Sequence, residues 1–206
     1  EVVTWIKGEE GSTVSIEVYR PSEDKYLTFE VERKTIEIPM VTSKMLDNNI
    51  GYVAVYEFEE TTSEQFNQAI DALTAQGMKG LIIDLRDNPG GLVNSATAIL
   101  DRILSKDQLL VYTVDKNGKK QEEYTEDDEN INVPISVLIN GNSASASEIV
   151  SGCLQDYGKA KLVGTTSFGK GMVQYVLPLG DGSAIKVPST IRQMDAISME
   201  QVLIRM

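Results

Sequence analysis

The chain has 206 residues, of which 41% are apolar and 24% are charged, a composition typical of a globular protein with a sizeable core. A formal net charge of −12 argues against nucleic acid or an anionic membrane as the main partner. No apolar run approaches the roughly 18–20 residues of a membrane span, and a single cysteine, Cys153, excludes an intramolecular disulfide.

The first 35 residues carry short elements that do not close a domain by themselves. An apolar stretch, a glycine-containing turn and an alternating strand occupy residues 2–19, and a turn with a second strand occupies residues 21–34. We therefore expect residues 1–35 to be the tail of a module whose front is absent. Residues 36–206 are expected to form a separate core.

From residue 36 onward the pattern becomes an alternation of strands and helices. Strands are predicted at residues 51–58, 80–85, 109–114, 135–140 and 160–163, and helices at 61–76, through 96–104 and from 145 to 157. Repeated units of this kind predict a layered α/β core with right-handed crossovers. The acid-rich stretch 122–130 is interpreted as a solvated loop.

The chain contains no histidine, and this limits the chemistry that it can perform. Mechanisms of the Ser/His/Asp and Cys/His kinds are excluded. What remains is a serine at a predicted helix start, Ser145, and a lysine between two glycines, Lys170. Cys153 lies on the apolar face of the same predicted helix and is interpreted as a small buried thiol.

Ser145 has two interpretations. With Glu148 it fits a capping box, in which a serine accepts amide hydrogen bonds at the start of a helix. Its small neighbours Ala144 and Ala146, however, leave room for an incoming carbonyl, and the free N–H groups of a helix start suit an oxyanion. Two nearby serines, at positions 143 and 147, remain rivals for the role of nucleophile.

Lys170 is either a solvated loop lysine or a general base. It acts as a base only when neutral, and we expect Phe168 and the two apolar residues after Gly171 to form a wall that excludes water. Gln174 is either an ordinary strand residue or a partner that holds the neutral amine. The second role needs a bend at Gly171, because four residues of straight strand span about 13 Å.

The glycine pair at residues 90–91 follows a strand that ends at Leu85. In open α/β sheets, ligands bind beyond the carboxyl ends of strands, so a glycine amide here could donate to an oxyanion. The alternative is a tight turn that needs a positive φ angle. No phosphate-loop pattern surrounds the pair. Asp84, Arg86 and Asp87 on the same segment are expected to form structural ion pairs.

Three segments carry a resemblance to a known family: GYVAVYEF at residues 51–58, GLIIDLRDNPGGL at 80–92 and SASASEIVSGCLQDYGKAKLVGTTSFGKGMVQ at 143–174. In this order, within residues 36–187, they resemble the C-terminal processing peptidases, also called tail-specific proteases. The resemblance implies a core related to the Clp-peptidase and crotonase group.

The resemblance also implies a role for individual residues. Ser145 would be the nucleophile, Lys170 the general base and Gln174 the residue that orients the lysine, while the amides of Gly91 and Ala146 would form the oxyanion hole. One further position, Asp156, matches an acidic residue that supports the site in some members. Its alternative role is an ion pair with a lysine at position 159 or 161.

The family further implies protein or peptide substrates with exposed C-termini, no metal or cofactor, and an extracytoplasmic location in the bacterial envelope. Residues 1–35 resemble the last part of a PDZ domain, a module that binds a substrate C-terminus by strand addition. Residues 188–206 depart from the family pattern. The sequence leaves open whether the chain forms a homo-oligomer. Three other functions stay open: a crotonase-like acyl-thioester enzyme, a non-catalytic pseudopeptidase scaffold, and a peptidase activated only after assembly or release of a segment.

Overall fold

The computed structural model describes residues 2–35, 38–114, 117–128, 130–170, 172–180 and 183–192, with the backbone course alone for 172–177 and 186–192. The chain divides into two compact units, residues 1–38 and 39–206. The boundary predicted between residues 35 and 36 lies close to this division. Of the residues 188–206 that depart from the family pattern, 193–206 fall outside the described part.

The first unit consists of a short helix, α1 (Val2–Ile6), and an antiparallel hairpin of β1 (Thr13–Arg20) and β2 (Lys25–Glu32). Arg33 ties the two together, because its Nε donates to the carbonyl of Ile6 at 2.7 Å and its Nη1 donates to Ser12 Oγ at 2.9 Å. The two strands expected from the sequence are present as this hairpin.

The second unit is a mixed α/β fold. Its elements are β3 (Val41–Leu46), β4 (Ile50–Val55), α2 (Thr62–Ala75), β5 (Gly80–Asp84), α3 (Val93–Asp101), β6 (Leu109–Val114), β7 (Lys120–Tyr124), β8 (Ile135–Ile139), α4 (Ala146–Asp156), β9 (Ala160–Gly164), β10 (Met172–Pro178) and β11 (Ala184–Arg192). A five-stranded sheet has the order β3-β4-β5-β8-β9, in which β4, β5, β8 and β9 run parallel and β3 is antiparallel to β4. The carboxyl ends of the four parallel strands therefore meet at one edge.

A second sheet, of order β10-β11-β6-β7, is antiparallel throughout. Its strand β7 corrects one prediction, because part of the stretch 122–130, expected to be a solvated loop, pairs with β6, with Glu122 opposite Tyr112. All five β7 residues are exposed, so the sequence carries no apolar alternation there, and the backbone pairing with β6 defines the strand. Edge strand β3, with its exposed centre, was missed for the same reason.

The core lies between the helices and one face of the five-stranded sheet. The buried faces predicted for α2 and α4 are confirmed, and strand residues at every second position complete the core. Representative fully buried side chains are Val53, Phe66, Ile70, Leu73, Ile83, Leu100, Val137, Val150 and Leu154. Among the described residues, no helix combines the length and the apolar character needed to cross a membrane.

Candidate active site

Three turns that follow β5, β8 and β9 meet at the carboxyl edge of the five-stranded sheet. The hydroxyl of Ser143, in the turn after β8, donates to the carbonyl of Leu85, after β5, at 2.7 Å. The amide of Phe168, after β9, donates to the carbonyl of Ser143 at 3.0 Å. These bonds bring the glycine pair, the serine cluster and the lysine segment together, at the edge where α/β sheets bind ligands.

Ser145 occupies the N-cap position of α4 in an unusual conformation. Its φ of 55° and ψ of −113° are sparsely populated for a residue with a Cβ, and such strain costs about 1–3 kcal/mol. The residue is partly exposed. A serine on a strained strand-to-helix turn is how α/β-hydrolases expose their nucleophile. The local geometry therefore leaves Ser145 partly exposed at the start of α4, where it forms the predicted capping box with Glu148.

The two rival serines are structural. Ser143 and Ser147 are both fully buried. The hydroxyl of Ser143 bonds the carbonyl of Leu85, and the hydroxyl of Ser147 donates to the carbonyl of Asn88 at 3.0 Å. Both hydroxyls hold the turn after β8 against the turn after β5. Of the three serines, Ser145 alone is partly exposed to solvent.

Both residues of the glycine pair are needed for close backbone approach. Gly90 has a φ of 104°, and a Cβ there would lie 2.7 Å from both the carbonyl oxygen of Ala144 and the Cβ of Ser145. Gly91 has a φ of 136°, and a Cβ there would collide with the backbone of Phe58. The expected turn with positive φ is therefore present, and it packs directly against the candidate nucleophile.

Two amide groups beside Ser145 are available as donors. Within the part of the chain that the structure describes, neither the N–H of Gly91 nor that of Ala146 donates a hydrogen bond. The Ala146 nitrogen belongs to the first turn of α4, where backbone N–H groups lack intrahelical acceptors. Two unused donors near one hydroxyl are the arrangement that an oxyanion hole requires.

Asn88, which sequence reasoning missed, organises the glycine pair. Its fully buried side chain donates to the carbonyl of Val55 at 2.8 Å and accepts from the amide of Gly90 at 2.8 Å. Its carbonyl accepts from the amide of Ala144 at 3.1 Å. An asparagine that bonds the amide two residues later is a familiar turn device, so its position just before Pro89 was the available signal.

Glu148 is the second residue whose role was underestimated. The capping box gives it one bond, from the amide of Ser145 to Oε2 at 2.9 Å. The buried carboxylate also accepts from Ser167 Oγ, from the amide of Gly169 and from the amide of Lys170. No local pattern predicts these three bonds, because the donors lie about twenty residues downstream.

The lysine segment agrees only in part with expectation. Lys170 is exposed, and Phe168, expected to wall it off, is 66% exposed. Throughout the described ranges, no hydrogen bond joins Ser145 Oγ to Lys170 Nζ. The predicted bend at Gly171 and the side chain of Gln174 fall outside the described residues, although the backbone of Gln174 lies in β10 opposite Pro188.

Asp156 and Cys153 lie away from Ser145. Asp156 is the last residue of α4, about 16 Å along the helix axis from Ser145, and burial raises the pKa of its carboxyl. It forms no ion pair with Lys159 or Lys161 in the described part of the chain. Cys153 is buried, and this burial together with the charge of Asp156 raises the pKa of its thiol to about 12. The predicted buried thiol is therefore confirmed.

Asp84 and Arg86 form the ion pair expected after β5. Arg86 Nη2 and the hydroxyl of Tyr52 each donate to Asp84 Oδ2 at 2.6 Å. Burial alone would raise the pKa of Asp84, but these two donors hold it below its usual value. Asp87 instead accepts hydrogen bonds from the side-chain amides of Asn140 and Asn142. The prediction that Asp87 forms an ion pair is therefore wrong for the described part of the chain.

Comparison with known proteins gives matches to peptidases. Residues 49–196 match the family described as peptidase family S41. Carboxy-terminal processing proteases CtpB and CtpA of Bacillus subtilis are 40% and 37% identical to this chain, over 88% and 91% of its length. The solved structure of a photosystem II D1 C-terminal processing protease superposes with a TM-score of 0.66 at 29% identity, covering 90% of this chain and 52% of that one. The chain spans about two fifths of the length of CtpB and CtpA, 38% and 40%.

Proposed function

Because the chain belongs to peptidase family S41, we propose that it is the core of a serine endopeptidase that cleaves protein substrates near their C-termini. The reaction is acyl transfer to Ser145. A hydroxyl is a weak nucleophile at neutral pH and needs a base, and a neutral lysine amine can serve where no histidine exists.

The proposed steps use residues of this one edge. Lys170 removes the proton of Ser145 Oγ as the oxygen attacks the peptide carbonyl, and the amides of Gly91 and Ala146 bind the oxyanion that forms. The protonated lysine then gives its proton to the leaving amine, which departs as the acyl-enzyme forms. Water, deprotonated by Lys170, attacks the acyl carbonyl, and the lysine returns this proton to Ser145 Oγ as the Oγ–acyl bond breaks and the acid product leaves. Gln174 would orient the lysine amine by a hydrogen bond.

A single observation carries the proposal. Ser145, alone among the three clustered serines in being partly exposed, stands in a strained conformation beside two N–H groups that have no acceptor among the described residues. A purely structural N-cap serine does not need the strain. Oxyanion stabilisation needs both a presented hydroxyl and converging donors.

Substrate selection is proposed from the relatives. Their names describe processing at carboxyl termini, and the hairpin of residues 13–32 fits our interpretation of the first unit as the end of a PDZ domain. The same resemblance supports an extracytoplasmic location. Substrates are therefore proposed to be proteins with exposed C-termini outside the cytoplasm.

A second candidate is a latent or inactive core that binds peptides without cleaving them. One observation favours it, namely that Ser145 Oγ and Lys170 Nζ share no hydrogen bond in the described part of the chain. A nucleophile and its base need to come within about 2.6–3.2 Å of each other, although such bonds are often longer in the absence of substrate.

The test is cleavage of a denatured protein near pH 8 by the parent chain and by Ser145→Ala and Lys170→Ala. Exposed residues of the same types give matched controls, Ser43→Ala and Lys161→Ala. We expect cleavage by the parent and both controls only. Peptide binding without cleavage by any variant would support the latent core, and equal cleavage by all five would refute the Ser–Lys assignment.

A further inference from the structure

The Glu148 carboxylate joins two segments of the site that are distant in sequence. Oε2 accepts from the amides of Ser145 and Lys170, both at 2.9 Å. Oε1 accepts from the hydroxyl of Ser167 and from the amide of Gly169, both at 2.7 Å. One carboxylate therefore links the backbone of the proposed nucleophile to the backbone of the proposed base through a single shared oxygen.

An ordinary helix cap does not explain this arrangement. Glu64 occupies the same third helical position in α2, three residues after the N-cap Thr61. That side chain is exposed, and within the described ranges its one partner is Gln68, whose Nε2 donates to it at 3.3 Å. Glu148 is instead 6% exposed and accepts three bonds from outside its own helix. Its burial and its partners therefore serve the contact between α4 and the segment 167–170.

The bonds to Glu148 account for much of what holds the lysine segment in place. Lys170 and Phe168 are exposed, so apolar packing contributes little there. Hydrogen bonds to a carboxylate are roughly twice as strong as those between neutral groups. A further bond from this segment to the serine turn runs from the Phe168 amide to the carbonyl of Ser143.

We propose that Glu148 is a positioning residue, whose carboxylate holds the Lys170 segment against the start of α4 so that the lysine amine reaches Ser145. This inference rests on the proposed function, in which Lys170 is the base. Glu148 itself touches no reacting atom. Its effect passes through the backbone of residues 167–170, and the reacting geometry is sensitive to it, because a misplacement of about 1 Å can cost about 100-fold in rate.

Substitution of Glu148 by glutamine isolates the carboxylate with little change in shape. All four partners donate, and of these only the Ser167 hydroxyl can turn to accept. If the new amide nitrogen replaces Oε1, the N–H of Gly169 loses its acceptor. If it replaces Oε2, the N–H groups of Ser145 and Lys170 lose theirs. Either orientation releases part of the lysine segment.

The test compares the parent chain with Glu148→Gln and with the matched control Glu64→Gln. Amide hydrogen exchange at Gly169 and Lys170, followed by NMR, should accelerate about tenfold or more at one of the two amides in Glu148→Gln only. Cleavage of a peptide substrate should show kcat reduced about 100-fold with KM changed less than about threefold, since substrate contacts are untouched. Glu64→Gln should match the parent in both measurements.

Unchanged exchange at both amides, or a kcat for Glu148→Gln within about threefold of the parent, would overturn the inference. If thermal unfolding shows that Glu148→Gln is not folded, Ser167→Ala is used in its place. That variant removes one bond and should lower kcat about three- to tenfold with faster exchange at Gly169, and parent-like values would overturn the inference equally. Cleavage that survives Ser145→Ala would instead refute the proposed function, while the exchange data still judge whether Glu148 holds the segment.

Discussion

A methyl group on Gly90 would meet the candidate nucleophile directly. At the φ of 104° that this residue adopts, an added Cβ lies 2.7 Å from the Cβ of Ser145 and 3.0 Å from the Ala146 nitrogen. Carbon atoms pack favourably at about 3.5–4.0 Å, so Gly90→Ala requires a displacement of roughly 0.8 Å or more at Ser145 or in the glycine turn. Either displacement separates the hydroxyl from one of the two proposed oxyanion donors.

The expected effects on stability and on activity differ in size. The positive φ angle alone costs about 1–2 kcal/mol for alanine, and the forced contact adds about 1–3 kcal/mol. A displacement approaching 1 Å at reacting atoms lowers the rate about 100-fold. Gly77→Ala is the matched control, because Gly77 has a φ of 81° and its nearest neighbour to an added Cβ is 3.8 Å away. This control carries the backbone cost without the collision.

Urea unfolding and cleavage of a denatured protein by the two variants separate these effects. We expect both variants to lose stability, and Gly90→Ala alone to lose about 100-fold in kcat. If Gly90→Ala cleaves within about threefold of Gly77→Ala, then the glycine turn does not control the geometry around Ser145, and our account of it is refuted.

Three further predictions concern buried polar groups. The pKa of Cys153 is about 12 in the folded chain, against a usual 9.0. Because the unfolded chain loses this proton first, a contribution of at most about 4 kcal/mol to the free energy of unfolding is present below pH 9 and should be lost as pH rises toward 12. In urea titrations Cys153→Ala should lack that loss, and an identical alkaline slope in the variant would contradict the assignment. Because the pKa of Asp84 is lowered, its contribution is present at neutral pH and should disappear below about pH 4. We expect Asp84→Asn to lower the free energy of unfolding by about 1–3 kcal/mol at pH 7. If the variant loses stability in acid as steeply as the parent does, Asp84 does not make this contribution. Asn88→Ala should cost about 2–3 kcal/mol by urea unfolding and reduce cleavage as well, whereas a stable, fully active variant would show that the glycine pair needs no buried support.

Elements with a strong apolar period were predictable from the sequence. Helices α2 and α4 lie within one or two residues of their predicted bounds, because their buried faces repeat every three or four residues. Strands β6 and β8 agree to a similar degree. Strands β3 and β7 were missed, since they are largely exposed and form through backbone pairing with a neighbour, which leaves no mark on the side-chain pattern.

The candidate site was predictable only where its chemistry is local. The resemblance of segment 143–174 to the processing peptidases selected Ser145 and Lys170, whereas the local pattern alone left alternatives open for both. The buried partners of the turn, Asn88 and the long-range bonds of Glu148, depend on how segments meet in space. An asparagine or a glutamate at a turn or helix start has many ordinary uses, so tertiary contacts alone distinguish these two.

The strained backbone of Ser145 has a consequence for inactive variants of this chain. A glycine at φ 55° and ψ −113° would relieve the strain, whereas an alanine would keep it. Selection for thermal stability alone would therefore favour glycine at position 145, and with it loss of the hydroxyl. The chain nevertheless keeps a serine there. A Ser145→Gly protein that melts at a higher temperature than Ser145→Ala would reveal a trade-off between durability and reactivity at this one position.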